Sequence, residues 1–473
     1  MYFCYNSILM KYLVHIILPL LLASCNSTNY KNSITYFGGE IINPKTNFVL
    51  FLKDDKVMDT LLLDNNNRFI TEFKGLEEGL YTFKHGIEFQ YIYLEPRDSV
   101  LVRLNSWDFD ESIVFSGKGS SKNEFLINLF LQNEKEDNAM YHYFSLKEQD
   151  FNTKIDSLEK ERLSIYKEFS KNEKNISKGF NKLTNTAIHY PLYRLKEVYP
   201  YYYQKAHHLN SFPGLSSKFY NFRNKVNLEE QDLVSFYPYQ NYIVSFLYNL
   251  SYQETEKQEE DTDLTISILN NIIANIKLEG FKNTLLKRVV INDFLKSNST
   301  CTINNKVLEV FKENCSNEKY ITQVTNLVND SKVVSNKKPL PNFKIKSDTT
   351  SIFNISDVIK DQNSVIYFWS TEFMSTEYVE NRINYLKNKY PTILFVGINM
   401  EHSSKNSKLQ NNLKKLDKNS QFNLTKDSAA RHYLTSNYPR IIIVNNKGIV
   451  QNGFTYLNSR NLGFELNKLE KNQ

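Results

Sequence analysis

Between residue 316 and residue 473 there is no cysteine. That gap excludes dithiol exchange and peroxidatic thiol chemistry from the C-terminal part of the chain, because both need a thiolate. Glycine and proline are sparse too, 14 and 11 in 473 residues. Where glycines gather, in "YFGGE" and "FSGKGSS", the strand-to-helix context and spacing of a phosphate loop are missing. The eight histidines are scattered: His207 and His208 are adjacent and would diverge on a helix, and His402 and His432 stand alone. No zinc spacing results, and no cofactor is expected. An excess of one charge is also lacking, since 58 basic and 52 acidic residues are interspersed for a net +6. Nucleic acid is therefore not an expected partner.

What is present suffices for packed interiors. Forty-one per cent of residues are hydrophobic and 14% aromatic, which excludes disorder as the class. At a usual domain size of roughly 150 residues, 473 residues suggest about three domains.

The N-terminal "MKYLVHIILPLLLASC" combines a Met10-Lys11 start, an apolar run from Tyr12 to Leu22 and small residues before Cys25. It reads as a secretory signal, 1–24, with Met10 as the true start and Cys4 upstream of it. The run is short for a membrane span of about 20 residues. Leu22-Ala23-Ser24-Cys25 resembles the lipobox of bacterial lipoproteins, which implies cleavage before Cys25 and its acylation. An ordinary signal with a coincidental cysteine is the alternative. Residues 25–33 form a polar tether with no acid beside the anchor. The resemblance thus implies a lipid-anchored envelope protein at the outer membrane, facing the periplasm.

From Ile34 to about residue 120, short alternating runs broken by "DNNNR" and "EPRD" predict an antiparallel β-sandwich. Its strand pattern resembles the β-domain found ahead of thioredoxin modules in Bacteroidetes-type lipoproteins. Residues 121–330 carry helical periodicity, as in Leu264, Ile268, Ile272 and Ile276, and predict a helical domain. Within it "HYPLYRLKEVYPYYYQKAHHLN" is rich in aromatics and interrupted by two prolines. Packed tyrosines and an aromatic ligand groove are the two readings, and packing is the cheaper. Residues 331–341, "SKVVSNKKPLP", read as a linker, and 342–473 alternate strand and helix as an α/β domain.

In that last domain the strand "SVIYFWS" precedes a helix whose Val379, Ile383, Leu386 and Tyr390 form one stripe, and "YPRIIIVNNKGIV" reads as turn, strand, hairpin and strand. Taken in order, Phe368-Trp369 and Tyr438-Pro439 resemble the marks of a thioredoxin-like domain of membrane-anchored thiol-disulfide oxidoreductases related to cytochrome-maturation proteins. The resemblance implies a fold that is multidomain α+β: N-terminal β-sandwich, helical middle region and C-terminal thioredoxin-like α/β domain. It also implies a cis peptide before Pro439, facing a reactive turn. The two cysteines of the family's turn fall on Phe373 and Thr376, so the fold is expected without its reaction. Ser375, Thr376 and Glu377 read as a helix cap rather than a catalytic cluster.

Cys301 and Cys315 flank a helix predicted over Asn304–Asn314, which would hold them roughly 15 to 20 Å apart, beyond the reach of about 7 Å for a disulfide. Buried packing thiols are expected; a structural bridge and a redox pair are the alternatives. The functional expectation is an envelope lipoprotein, leaning away from catalysis, whose degenerate thioredoxin-like domain is a binding or scaffold module. An envelope protein or an extended peptide would meet Trp369, Phe373, Met374 and Tyr438. The alternative is an envelope oxidoreductase using Cys301 and Cys315 or a partner's thiols.

Overall fold

Alternating apolar residues from Ile34 onward become eight strands: β1 (Ile34–Ile42), β2 (Phe48–Lys53), β3 (Lys56–Leu62), β4 (Arg68–Lys74), β5 (Gly79–His85), β6 (Glu88–Leu94), β7 (Ser99–Asn105) and β8 (Val114–Lys118). The computed structural model describes residues 32–54, 56–257, 263–296, 303–347, 351–370, 374–400, 416–436, 439–459 and 461–471. The signal, the tether up to residue 31 and Cys25 lie outside the described residues. By internal contacts the chain divides into two units, one running through Tyr141 and including Lys154–His189, the other made of His142–Thr153 and Tyr190 onward.

In the first unit the strands form two four-stranded sheets, ordered β4-β1-β7-β8 and β3-β2-β5-β6. One residue in two faces inward, and Phe37, Phe51, Phe83, Ile92 and Val100 share a single core with Ile127 of helix α1 (Ser120–Met140). The sandwich is not wholly antiparallel as expected: β1 and β7 run parallel, with Tyr36 opposite Ser99 and Ile41 opposite Leu104. After β2 and β3 of the other sheet the chain returns as β4, antiparallel to β1; after β5 and β6 it returns again as β7 on β1's other side and parallel to it, so no hairpin joins β1 and β7.

Two long helices follow, α2 (Glu148–Asn172) and α3 (Lys178–Ala206). The prolines expected to interrupt the aromatic stretch, Pro191 and Pro200, sit inside α3 without ending it. An internal proline deprives carbonyls one turn back of their donors. Pro191 leaves the Ala187 carbonyl without its helical donor, and the adjacent Ile188 carbonyl accepts from the buried Arg162 Nη1 at 2.8 Å.

The second unit holds α4 (Tyr237–Lys257), α5 (Leu264–Asn275), α6 (Glu279–Lys296), α7 (Asn305–Asn314) and α8 (Glu318–Val333). Asp263 caps α5, its side chain accepting from Thr265 N at 2.8 Å, and Ile268, Ile272 and Ile276 are buried as their spacing requires. The tyrosines pack: Tyr193 stacks on Phe222 with centroids 5.1 Å apart, and Tyr199 on Phe151 at 4.2 Å. Glu197 is buried and fully engaged, by Arg223 Nε at 2.8 Å and Nη2 at 2.6 Å, by Asn249 Nδ2 at 2.6 Å and by the Tyr242 hydroxyl at 3.4 Å. It therefore holds α3 to the segment before α4, with no lone pair left for chemistry.

The same unit ends in β9 (Lys344–Lys346), β10 (Ile352–Asn354), α9 (Ile355–Val358), β11 (Ser364–Trp369), α10 (Thr376–Lys389), β12 (Leu394–Asn399), β13 (Gln421–Leu424), β14 (Ile441–Val444), β15 (Val450–Thr455) and α11 (Leu462–Lys471). The sheet order is β10-β9-β13-β12-β11-β14-β15. β11 and β12 are parallel across α10, while β14 and β15 are antiparallel and lead into α11. This βαβ–ββα arrangement is thioredoxin-like. The helices before it do not stand apart, since Phe294 of α6 and Leu327 of α8 share a cluster with Phe454 of β15. The segment expected as a patternless linker extends the sheet instead. Lys337 N donates to Val450 O (2.7 Å), Val450 N to Lys338 O (2.9 Å) and Leu340 N to Gly448 O (2.9 Å). No helix among the described residues is long and apolar enough to cross a membrane.

Candidate functional site

All six residues of β11 are buried, as a strand covered on both faces must be. Past its end, Ser370 O accepts from Met374 N at 3.0 Å, and Ser375 caps α10 by accepting from Tyr378 N at 3.1 Å. Thr376 opens the helix, and Val379, Ile383, Leu386 and Tyr390 turn its apolar stripe onto the sheet. This is the strand-turn-helix in which a thiol would ride on the helix N-terminus. The chain offers a threonine hydroxyl at Thr376; Thr371, Glu372 and Phe373 lie outside the described residues.

Trp369 was expected on a partner surface. It is instead 5% exposed and packs with Val379 and Ile441, and half-buried Met374 lies against the same cluster. The strand's alternation turns the Trp369 ring to the helix-covered face, and among the described residues its indole Nε1 has no hydrogen-bond partner. Tyr438 and its peptide bond to Pro439 lie outside the described residues; Pro439 itself is buried. The next residue, Arg440, gives its carbonyl to Phe368 N at 2.9 Å, which places the proline loop beside the end of β11.

That loop is held by two residues the sequence reading passed over. Asp330 of α8 accepts through Oδ1 from Thr435 N (3.1 Å) and Oγ1 (2.6 Å), and through Oδ2 from Ser436 N (2.9 Å) and Oγ (2.7 Å). Arg440, 1% exposed, donates to the carbonyls of Tyr433 (2.8 Å), Gly453 (2.8 Å) and Asp330 (3.3 Å), and its guanidinium lies 4.7 Å from the Phe454 ring centroid. Gly453 is required there, because a Cβ would overlap the Val334 carbonyl. Burial pushes the nearby Tyr433 phenol up, so it stays protonated. One signal was available: an arginine between a proline and "IIIV" is a charge about to be buried.

Of the two remaining cysteines, Cys301 lies outside the described residues. Cys315 is a free, buried thiol at the end of α7, and burial pushes its pKa up, away from the thiolate. Glu279 and Lys282, both of α6, also act on it. Among the described residues no three His, Cys, Asp or Glu side chains group as metal ligands.

No family model and no curated protein matches the chain. Solved structures do. The thioredoxin domain of a thiol-disulfide oxidoreductase from Bacteroides vulgatus is similar at 20% identity and TM-score 0.22, over 29% of this chain and 96% of that one. A thiol:disulfide interchange protein from a Bacteroides species is similar at 19% identity and TM-score 0.22, over 29% and 90%. A thioredoxin-like protein from Bacteroides caccae is similar at 12% identity and TM-score 0.31, over 55% and 98%. At these values the likenesses say nothing of this chain's activity.

Proposed function

We propose that the protein is a cell-envelope lipoprotein, anchored through Cys25 at the outer membrane and facing the periplasm, whose thioredoxin-like part is a redox-inactive scaffold. The observation that carries the reading is the cysteine-free stretch from residue 316 to residue 473, which covers the whole of β11, the turn and α10. The Asp330 and Arg440 contacts support a structural role for the proline loop: it is bonded to α8 at the position where the family's loop meets substrate. A scaffold of this kind would present the helices to an envelope protein or an extended peptide. Disulfide exchange through Cys315 is disfavoured by its burial and raised pKa.

The test is insulin reduction by dithiothreitol with and without the purified full chain. No acceleration is expected; turnover that disappears in a Cys301→Ser, Cys315→Ser double variant would overturn the scaffold reading. The anchor is tested separately by labelled palmitate incorporation, expected in the wild type and absent from Cys25→Ala.

A further inference from the structure

The outer face of the β4-β1-β7-β8 sheet carries a cavity of about 690 Å³, within the range of small-molecule sites. Its floor is flat at mid-strand because Gly38, in register with Ile70 and Leu101 on the outer face, has no side chain, while its neighbour Gly39 faces the core beside Phe69 and Val102. A Cβ on Gly39 would overlap the Val102 carbonyl, and one on Gly38 would lie 2.7 Å from Phe69 O. Strand glycines weaken a sheet and often mark a close backbone approach.

Three aliphatic side chains wall the cavity: Leu62 and Ile70, each 69% exposed, and Leu101. Phe69 also lines it, but its ring belongs to the sandwich core. Beside the apolar wall runs a row of charge, with Glu40 of β1 in register with Arg68 of β4 on one side and Arg103 of β7 on the other. Arg68 pairs with Glu40 at 3.4 Å. The Asp64 carboxylate is engaged by its own turn, accepting from Asn66 N at 2.8 Å and Arg68 N at 2.9 Å. Among the described residues no ion pair or hydrogen bond engages the exposed Arg103 guanidinium.

We infer that this cavity is a binding site for an amphipathic monocarboxylate with an unbranched alkyl chain, its carboxylate on Arg103 and its chain along Leu62, Ile70 and Leu101. With Arg68 already paired to Glu40, Arg103 offers one open positive charge among the described residues, which matches a ligand carrying a single negative charge. Aliphatic walls over a flat glycine floor suit a narrow chain. The inference is independent of the redox reading, because every residue in it belongs to the β-sandwich.

The experiment is calorimetric titration of the full chain carrying Cys25→Ser, which removes the thiol expected to carry a lipid, with octanoate, decanoate and decylamine. Decanoate is expected to bind saturably, each methylene beyond octanoate tightening binding by up to about fourfold, and decylamine is expected not to bind. Arg103→Gln should weaken decanoate about tenfold or more, and Ile70→Asp should abolish binding. Both side chains are exposed, so the variants should fold, with circular dichroism as the check. Absence of saturable decanoate binding, equal binding of decylamine, or wild-type affinity in a folded Arg103→Gln variant would overturn the inference.

Discussion

Asp330 Oδ1 accepts from both the backbone N–H and the hydroxyl of Thr435, at 3.1 and 2.6 Å. Together with the matching pair from Ser436 to Oδ2, four donors from the loop satisfy the Asp330 carboxylate, which is itself 1% exposed. Asp330→Ala should therefore cost about 3 kcal/mol, with Asp330→Asn intermediate. Urea unfolding followed by tryptophan fluorescence checks it: the chain has two tryptophans, Trp107 is 74% exposed, and buried Trp369 will dominate the spectral shift.

Arg440 reaches three carbonyls at once, which only a planar fork of donors can do. Arg440→Lys keeps the charge, loses the geometry and leaves buried acceptors unmatched. It should lower stability by about 2–3 kcal/mol despite being a conservative change. A fall in the urea midpoint of the Trp369 transition is expected; an unchanged midpoint would show that the fork is dispensable.

Two buried groups of the β-sandwich should pull its pH dependence in opposite directions. Asp98 is 5% exposed, and burial pushes its carboxyl to about 6 against a usual 3.8. The folded state thus takes up the proton first; this contribution is complete below 3.8 and is lost as pH rises through about 6. Asp98→Asn should flatten that limb, worth about 3 kcal/mol.

His85 behaves in the reverse sense. Its Nε2 accepts from Lys45 N at 2.9 Å, and burial holds its pKa below 6.5. Its contribution is present above 6.5 and lost as pH falls through the lower folded value. His85→Gln should remove that loss. Denaturant midpoints from pH 4 to 8, read by circular dichroism, separate the two.

The parts of the fold legible in the sequence were those with local period. Strand alternation marked the β region from Ile34 to about residue 120, and the Val379, Ile383, Leu386, Tyr390 stripe marked α10, because one buried face imposes its spacing on the chain. The parallel β1–β7 pairing was not legible, since direction of pairing depends on the path between strands. Nor was the Asp330 clamp: an aspartate near a helix end looks solvated until a loop about a hundred residues on folds against it. At the candidate site the missing thiols were plain in the sequence, while the inward turn of Trp369 required the tertiary packing.

Lys337 and Lys338 pair with Val450, the first residue of β15, and Leu340 with Gly448 just before it, so the seven-stranded sheet's border on that side is engaged at its start. On the other side the border is β10, only three residues long. Open strand edges are where β-proteins stick to one another, exchange segments or seed fibres. An edge engaged at its start and a border strand of three residues are two of the devices by which sheets limit the free backbone offered to a neighbour.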